Sequence, residues 1–359
     1  MKIVFLLPGS GQNPVGGFKV VYEYANGLTR LGHQVVVMHA PYQRYGEVTF
    51  RTGLKSTGTY WLRLLGLKGG YKPSRWFNPE QNVKYLWKPS LHFSWVPDAD
   101  VCIATAWETA EWLASYPEQK GRKFYLLQHL EGHFRGAEEN RVEATWKLPL
   151  KKIVIAKWLQ GYASAMSEDS IYIPNGLDFD RFNLDTPIDE RQPSRVMMLY
   201  HQEAWKGSLI GLMALKIVKQ TSPELVVDLF GIPPAPDDLP SWITYHRNPP
   251  QTQLRRLYNT AAIFVAPSFA EGWPLPPAEA MQCGCALCAT DIGGHKEYAI
   301  DGKTALISPA GDIHRLAEHI QLYIHHPDIR ERMAKEGNRF IQQFTWQRAV
   351  RSLLAAISN

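Results

Sequence analysis

The segment SFAEGWPLPPAEAMQCG, Ser268 to Gly284, decides how this chain of 359 residues is read. Pro274, Pro276 and Pro277 oppose a helix before Pro277, where proline is welcome as the first helical residue because its missing N–H would have had no partner. A helix is therefore expected from Pro277, with Glu279 in its first turn. Upstream, AIFVAPS (residues 262–268) reads as a strand, and Glu271 lies on the loop that leaves it. That loop belongs at the carboxyl edge of a sheet, where doubly wound folds bind ligands.

Working outward, strand-like apolar runs alternate with helical patterns. KIVFLL is followed by a helix whose Val20, Val21, Tyr24, Leu28 and Leu31 share one face, closed by Gly32 before HQVVVMHA. DVCIAT and KFYLLQH follow, with helix ETAEWLAS between them. A second series begins near IYIPNG, with strands RVMMLY, ELVVDLFG, WITYHR, AIFVAPS and ALCAT. Two doubly wound α/β domains in tandem are expected, the linker-like DTPIDERQPS lying near their boundary. We place the domains at 1–173 and 174–344, with a terminal helix at 345–359.

Composition is that of a globular chain, 45% apolar and 20% charged. The opening MKIVFLLPGSG is too short for a signal core or a membrane span, so a cytoplasmic protein is expected. Cys102, Cys283, Cys285 and Cys288 then read as reduced thiols, and CGCALC as small buried residues around a glycine turn rather than a metal site. The net charge of +5 is uneven: residues 41–95 hold nine Lys or Arg against Glu47 and Glu80, interleaved with Trp61, Trp76, Phe77, Trp87 and Trp95. Such a basic, aromatic insertion suits an anionic membrane surface at the inner face of a membrane, or a phosphate-bearing acceptor, and equally a solvated, poorly regular segment.

The start of a helix offers free N–H groups and about half a positive charge, a seat for phosphate. Two carboxylates bracketing such a seat suit a ligand with sugar hydroxyls on both sides of a diphosphate. Here the segment resembles the E-x7-E motif of retaining glycosyltransferases of the GT-B fold, family 4, carried by Glu271 and Glu279. VGGFKVVYEYANGLTRLGHQVVV, IPNG (Ile173 to Gly176), Lys206–Gly207, LYNTAAIFVAPS and IGGHKEYAIDGKTALISPAGD follow the family in order, leaving only 41–95 uncovered.

The resemblance implies two Rossmann-like domains facing across a cleft, the second holding a nucleotide-diphosphate sugar, a UDP-sugar above all, and the first a glycan or lipid-linked acceptor. It implies that Glu279 binds the ribose, that Glu271 binds the donor sugar, and that Lys206 neutralises the leaving diphosphate. Gly272, Trp273 and Leu275 would line the donor, Glu297 of GG-x-x-E would flank it, Gly16 and Gly17 would let the backbone approach its diphosphate and the acceptor, and His129 would contact its sugar. No metal or other cofactor is expected. The chain departs from the family at His201, where an arginine is usual, and at Pro274, where many members have glycine. Histidine offers one good donor and loses its charge near neutral pH.

A dinucleotide oxidoreductase is disfavoured, because GSGQNP lacks the third glycine of G-x-G-x-x-G and no acid ends the second strand. A nucleotide-sugar epimerase or hydrolase, or a non-catalytic binding module, remain alternatives on the same fold. DAD at 98–100 reads as a turn into a strand rather than a metal motif.

Overall fold

The computed structural model describes residues 1–9, 15–40, 50–67, 76–133 and 138–358. They form two compact units, Met1–Gly176 with Trp346–Asn359, and Leu177–Thr345.

The first unit runs β1 (Lys2–Pro8), α1 (Gly16–Arg30), β2 (Gln34–Ala40), α2 (Phe50–Leu64), β3 (Lys84–Trp87), β4 (Val101–Ala104), α3 (Trp107–Ala114), β5 (Arg122–Leu127), α4 (Glu139–Trp146), β6 (Lys151–Val154), α5 (Lys157–Ala165) and β7 (Ser170–Tyr172). Its seven strands are all parallel, in the order β3-β2-β1-β4-β5-β6-β7. Ile3 to Leu6 of the central strand are fully buried, as expected of a parallel strand covered on both faces. In α1 the expected face is buried as far as Leu28, but Leu31 lies beyond the helix and is exposed.

The second unit runs β8 (Arg195–Leu199), α6 (Ser208–Thr221), β9 (Val226–Gly231), β10 (Ile243–Arg247), α7 (Gln251–Thr260), β11 (Ile263–Ala266), α8 (Leu275–Gln282), β12 (Ala286–Thr290), β13 (Ala305–Ser308), α9 (Ile313–His325) and α10 (Pro327–Ile341). Its six parallel strands take the order β10-β9-β8-β11-β12-β13. The core between β-sheet and helices gathers Val196, Leu215, Leu229, Val265 and Ile320. The last helix, α11 (Trp346–Ser358), belongs to the first unit. Its Trp346 ring meets Tyr24 edge-on at 5.5 Å, and Val350 packs so closely on Gly27 of α1 that a Cβ there would lie 2.4 Å from its methyl.

Several elements depart from the sequence reading. IYIPNG does not open the second series: β7 pairs with β6 and closes the first sheet. DTPIDERQPS is no linker. Its Ile188 and Arg191 are buried, and the Arg191 guanidinium donates to the carbonyls of Thr186, Tyr258, Ala261 and Cys283. Within 41–95, which partly lies outside the described residues, β3 extends the sheet and α2 forms a regular helix. Strands β6 and β13 were also unexpected.

Candidate donor site in the second unit

In the second sheet β8 and β11 are neighbours, Val196 lying opposite Ile263, but the chain leaves them in opposite directions along the sheet. The loops beyond their carboxyl ends therefore diverge, which is where doubly wound folds open a crevice for ligands. Lys206 lies on the first loop and Glu271 on the second. The structure joins them: Lys206 Nζ donates to both Glu271 carboxylate oxygens, at 2.7 and 2.9 Å.

The backbone explains why the pair meets. A single 3₁₀ turn, Ala204–Lys206, ends at Gly207, whose φ of 66° is left-handed. A Cβ at Gly207 would lie 2.0 Å from the Pro267 carbonyl oxygen, so only glycine lets the β8 loop rest against the β11 loop. The Phe269 N–H then donates to the Trp205 carbonyl at 2.7 Å. The Trp205 ring in turn lies under the ammonium, 4.2 Å from Nζ to its centroid. Glu271 is buried and takes a further hydrogen bond from Ser268 Oγ at 2.9 Å.

His201 sits on the same loop, its backbone N–H donating to Ser208 Oγ at 2.8 Å. Its Nδ1 accepts from the Glu203 N–H at 3.1 Å, which requires that nitrogen to be unprotonated. Burial and the Lys206 charge also push its pKa below the usual histidine range, against the pull of Glu203 and Glu271. His201 is therefore a neutral ring with a single N–H donor, at Nε2.

The helix after Glu271 corrects one expectation. Helix α8 starts at Leu275, with Pro274 as its extended N-cap, so Pro276 and Pro277 both occupy the first turn. The first N–H groups of a helix have no partner within it, and a first turn tolerates prolines for that reason. Glu279 consequently lies in the second turn. Two of the first four N–H donors are absent as well, leaving the helix end a weaker seat for phosphate than the sequence implied. Glu279 is buried, and the Tyr258 hydroxyl donates to it at 3.3 Å.

Trp273 buries its ring against Tyr298 and Phe344, at 5.0 and 5.5 Å, so its backbone rather than its side chain is left to meet a ligand; Gly272 precedes it and the buried Leu275 opens α8. Glu297 is buried at the end of the 3₁₀ turn His295–Glu297. The second glycine of this GG also has a steric reason: a Cβ on Gly294 would lie 2.6 Å from the Glu271 carbonyl oxygen.

Two residues absent from the sequence reading tie these groups together. The Tyr298 hydroxyl donates to the Pro274 carbonyl at 2.8 Å, and burial, followed by the fields of Glu271, Glu297 and Glu279, holds its phenol well above the usual range. All three glutamates thus converge around one tyrosine. His295, fully buried, donates from Nδ1 to the Thr290 carbonyl at 2.9 Å; Thr290 Oγ1 donates to the Ser268 carbonyl, and Ser268 Oγ reaches Glu271. Both were hidden because Tyr and His next to a motif glutamate carry no period or spacing of their own.

In the first unit, a Cβ on Gly17, in the first turn of α1, would be 3.4 Å from the Gln128 side chain at the end of β5. Gly16 is exposed beside it, and His129 is buried, with Nδ1 3.2 Å from the Leu130 carbonyl oxygen. Beyond β5, Glu131 accepts a hydrogen bond from the first N–H of α3, that of Trp107, at 2.7 Å. Burial, aided by Glu108, pushes its carboxyl up to about 8. Among the described residues no group of three or more His, Cys, Asp or Glu is placed to hold a metal.

Comparison with known proteins supplies the class. Residues 204–340 match the family model of glycosyl transferases group 1. Over 106 residues the chain is 32% identical to O-antigen chain mannosyltransferase B of Escherichia coli, and over 101 residues it is 36% identical to alpha-maltose-1-phosphate synthase of Mycobacterium tuberculosis. These matches cover 30% and 26% of this chain, and the chain spans only about a quarter of those relatives, 27% and 26%. Whole-chain likeness comes from solved structures. Sucrose-phosphate synthase from Thermosynechococcus elongatus has a TM-score of 0.71 at 18% identity, over 99% of both chains. Anabaena HepE in complex with UDP and glucose has a TM-score of 0.75 at 16% identity, over 100% of this chain and 99% of that one.

The chain therefore has the α/β GT-B fold of glycosyltransferases. Over residues 204–340 its second unit resembles the glycosyl transferases group 1 family.

Proposed function

We propose that this chain is a retaining glycosyltransferase that moves a hexose from a nucleoside-diphosphate sugar, a UDP-sugar, to a hydroxyl of a glycan or lipid-linked acceptor. The observation that carries the reading is the Lys206–Glu271 pair at the divergence of β8 and β11. A buried carboxylate holding a lysine at a ligand crevice is a cation kept in place for an incoming anion and an acceptor kept in place for hydroxyl donors.

On this reading the diphosphate takes Lys206 from Glu271, and Glu271 then accepts from the donor-sugar hydroxyls. Glu279 takes the ribose hydroxyls, the Gly272 and Trp273 backbone lies along the donor, and Glu297 flanks it. His201 adds one neutral N–H donor to the phosphates. The acceptor oxygen forms a bond to the anomeric carbon as the bond from that carbon to the diphosphate oxygen breaks, and the hydroxyl proton passes to the departing phosphate. Attack from the face the diphosphate leaves keeps the anomeric configuration. Gly16, Gly17 and His129 belong to the first unit, which we assign to the acceptor.

Lys206 supplies the charge stabilisation, and transfer that survives chelation of divalent metals is the expected outcome. The resemblance to an O-antigen chain mannosyltransferase supports a role in bacterial polysaccharide or glycolipid synthesis. The test is turnover of a panel of nucleotide sugars with and without acceptor glycans, followed by NMR of the new linkage. Acceptor-dependent release of UDP with an unchanged anomeric configuration is expected. Equal release without any acceptor would make the chain a hydrolase, and no release with a bound nucleotide would make it a binding module.

A further inference from the structure

Helix α2 is built the wrong way round for a helix that only covers a sheet. Toward its own unit it turns Tyr60, stacked on Trp87 at 5.8 Å and 5°, and Arg63, whose guanidinium lies 4.8 Å over the same indole. Away from it stand Leu54, Trp61 and Leu65, spaced i, i+7 and i+11 and hence on one stripe. Trp61 is 54% exposed and Leu65 67%, and Leu62, Leu64 and Leu67 beside them are exposed too. Six large apolar side chains open to solvent within fourteen residues mark an interaction surface.

Charge identifies the partner. Between residues 48 and 79 the sequence has six Lys or Arg and no acid, and exposed Arg51 and Lys55 lie along one edge of the apolar stripe. The fifteen residues of α2 are too few to span a bilayer, and no helix among the described residues is long and apolar enough to do so. Leucines and a tryptophan facing outward, edged by cations, are instead the pattern of a helix that lies in the plane of a lipid interface.

We propose that α2 is the docking face by which this protein lies on an anionic bilayer, its leucines and Trp61 at the acyl boundary and Arg51 and Lys55 among the headgroups. The inference stands apart from the transfer reaction, since it needs neither donor nor acceptor.

The test is co-sedimentation of the full chain with phosphatidylcholine vesicles, with and without phosphatidylglycerol, at low and high salt. Binding is expected to require phosphatidylglycerol and to weaken with salt. The double variant Trp61→Glu with Leu65→Glu is expected to lose about a hundredfold in vesicle affinity. Met213→Glu, an equally exposed apolar site on α6 of the second unit, is expected to change nothing. Unchanged thermal melting and UDP-induced thermal shift would show that the variants remain folded. Wild-type protein that ignores the anionic lipid, or a double variant that binds like wild type, would overturn the proposal. So would a salt-resistant dimer in solution that the double variant converts to monomer without any vesicle binding, because the face would then belong to a second copy of the chain.

Discussion

The two units share a parallel doubly wound plan, and one carboxylate in each, Glu271 in the second and Glu131 in the first, is held in an opposite way. In the second unit the buried Glu271 faces Lys206, and the buried Asp228 faces Arg195 at 2.8 Å. In the first unit, beside β4 and β5, burial and then the Glu108 charge oppose ionisation of Glu131. Breaking a buried opposite-charge pair leaves an uncompensated charge, whereas a like-charged pair relaxes by holding a proton. The Glu271 site is thus arranged for an anion, whereas the Glu131 carboxyl makes stability depend on pH.

The largest test of that contrast is Lys206→Ala. With Glu271 left without its cation and the diphosphate without its clamp, transfer should fall by about two to three orders of magnitude, read as kcat/KM for the donor. Near-normal turnover would remove Lys206 from the mechanism.

Gly207→Ala comes next, because a Cβ there meets the Pro267 carbonyl at a left-handed φ. A loss of roughly 2–3 kcal/mol is expected in chemical denaturation of the second unit. An unchanged midpoint would mean that the two loops are not held against each other as described.

His201→Arg sharpens the comparison in the other direction. Restoring a permanent, two-pronged cation where a neutral ring now stands should tighten UDP binding by about tenfold. It should also flatten the fall in affinity as pH rises through the lowered His201 pKa. No gain would show that His201 does not face the phosphates.

Glu131→Gln is the smallest expected change. A carboxyl whose folded pKa is about 8, against 4.5 for a free glutamate, gives the fold its full benefit below pH 4.5 and loses it as pH rises toward 8. The melting temperature of the first unit should therefore decline across that window in the wild type and stay flatter in the variant, which keeps a neutral acceptor for the Trp107 N–H. Parallel melting curves would contradict the like-charge reading.

Much of this was legible in the sequence because local signals and global topology agreed there. Continuous apolar strands such as KIVFLL and AIFVAPS, separated by amphipathic helices, define a parallel α/β architecture on their own, and the KG and EGW segments identified the two loops that meet. What escaped depended on distance in three dimensions. The paired prolines at 276 and 277 shifted the start of α8 because a helix's first turn has no use for their N–H groups. Arg191 turned a polar segment into packed structure by capping carbonyls 67 to 92 positions away. Tyr298, His295 and Glu131 became visible only through the acids and carbonyls they face.

The central claim is that Lys206, presented by Glu271 at the divergence of β8 and β11, is what grips a nucleoside diphosphate. Calorimetric titration of UDP into the wild type and into Lys206→Ala, both confirmed as folded by circular dichroism, tests it most directly. The account predicts saturable binding to the wild type and at least about a tenfold loss in the variant. Equal affinity in the two proteins would contradict it.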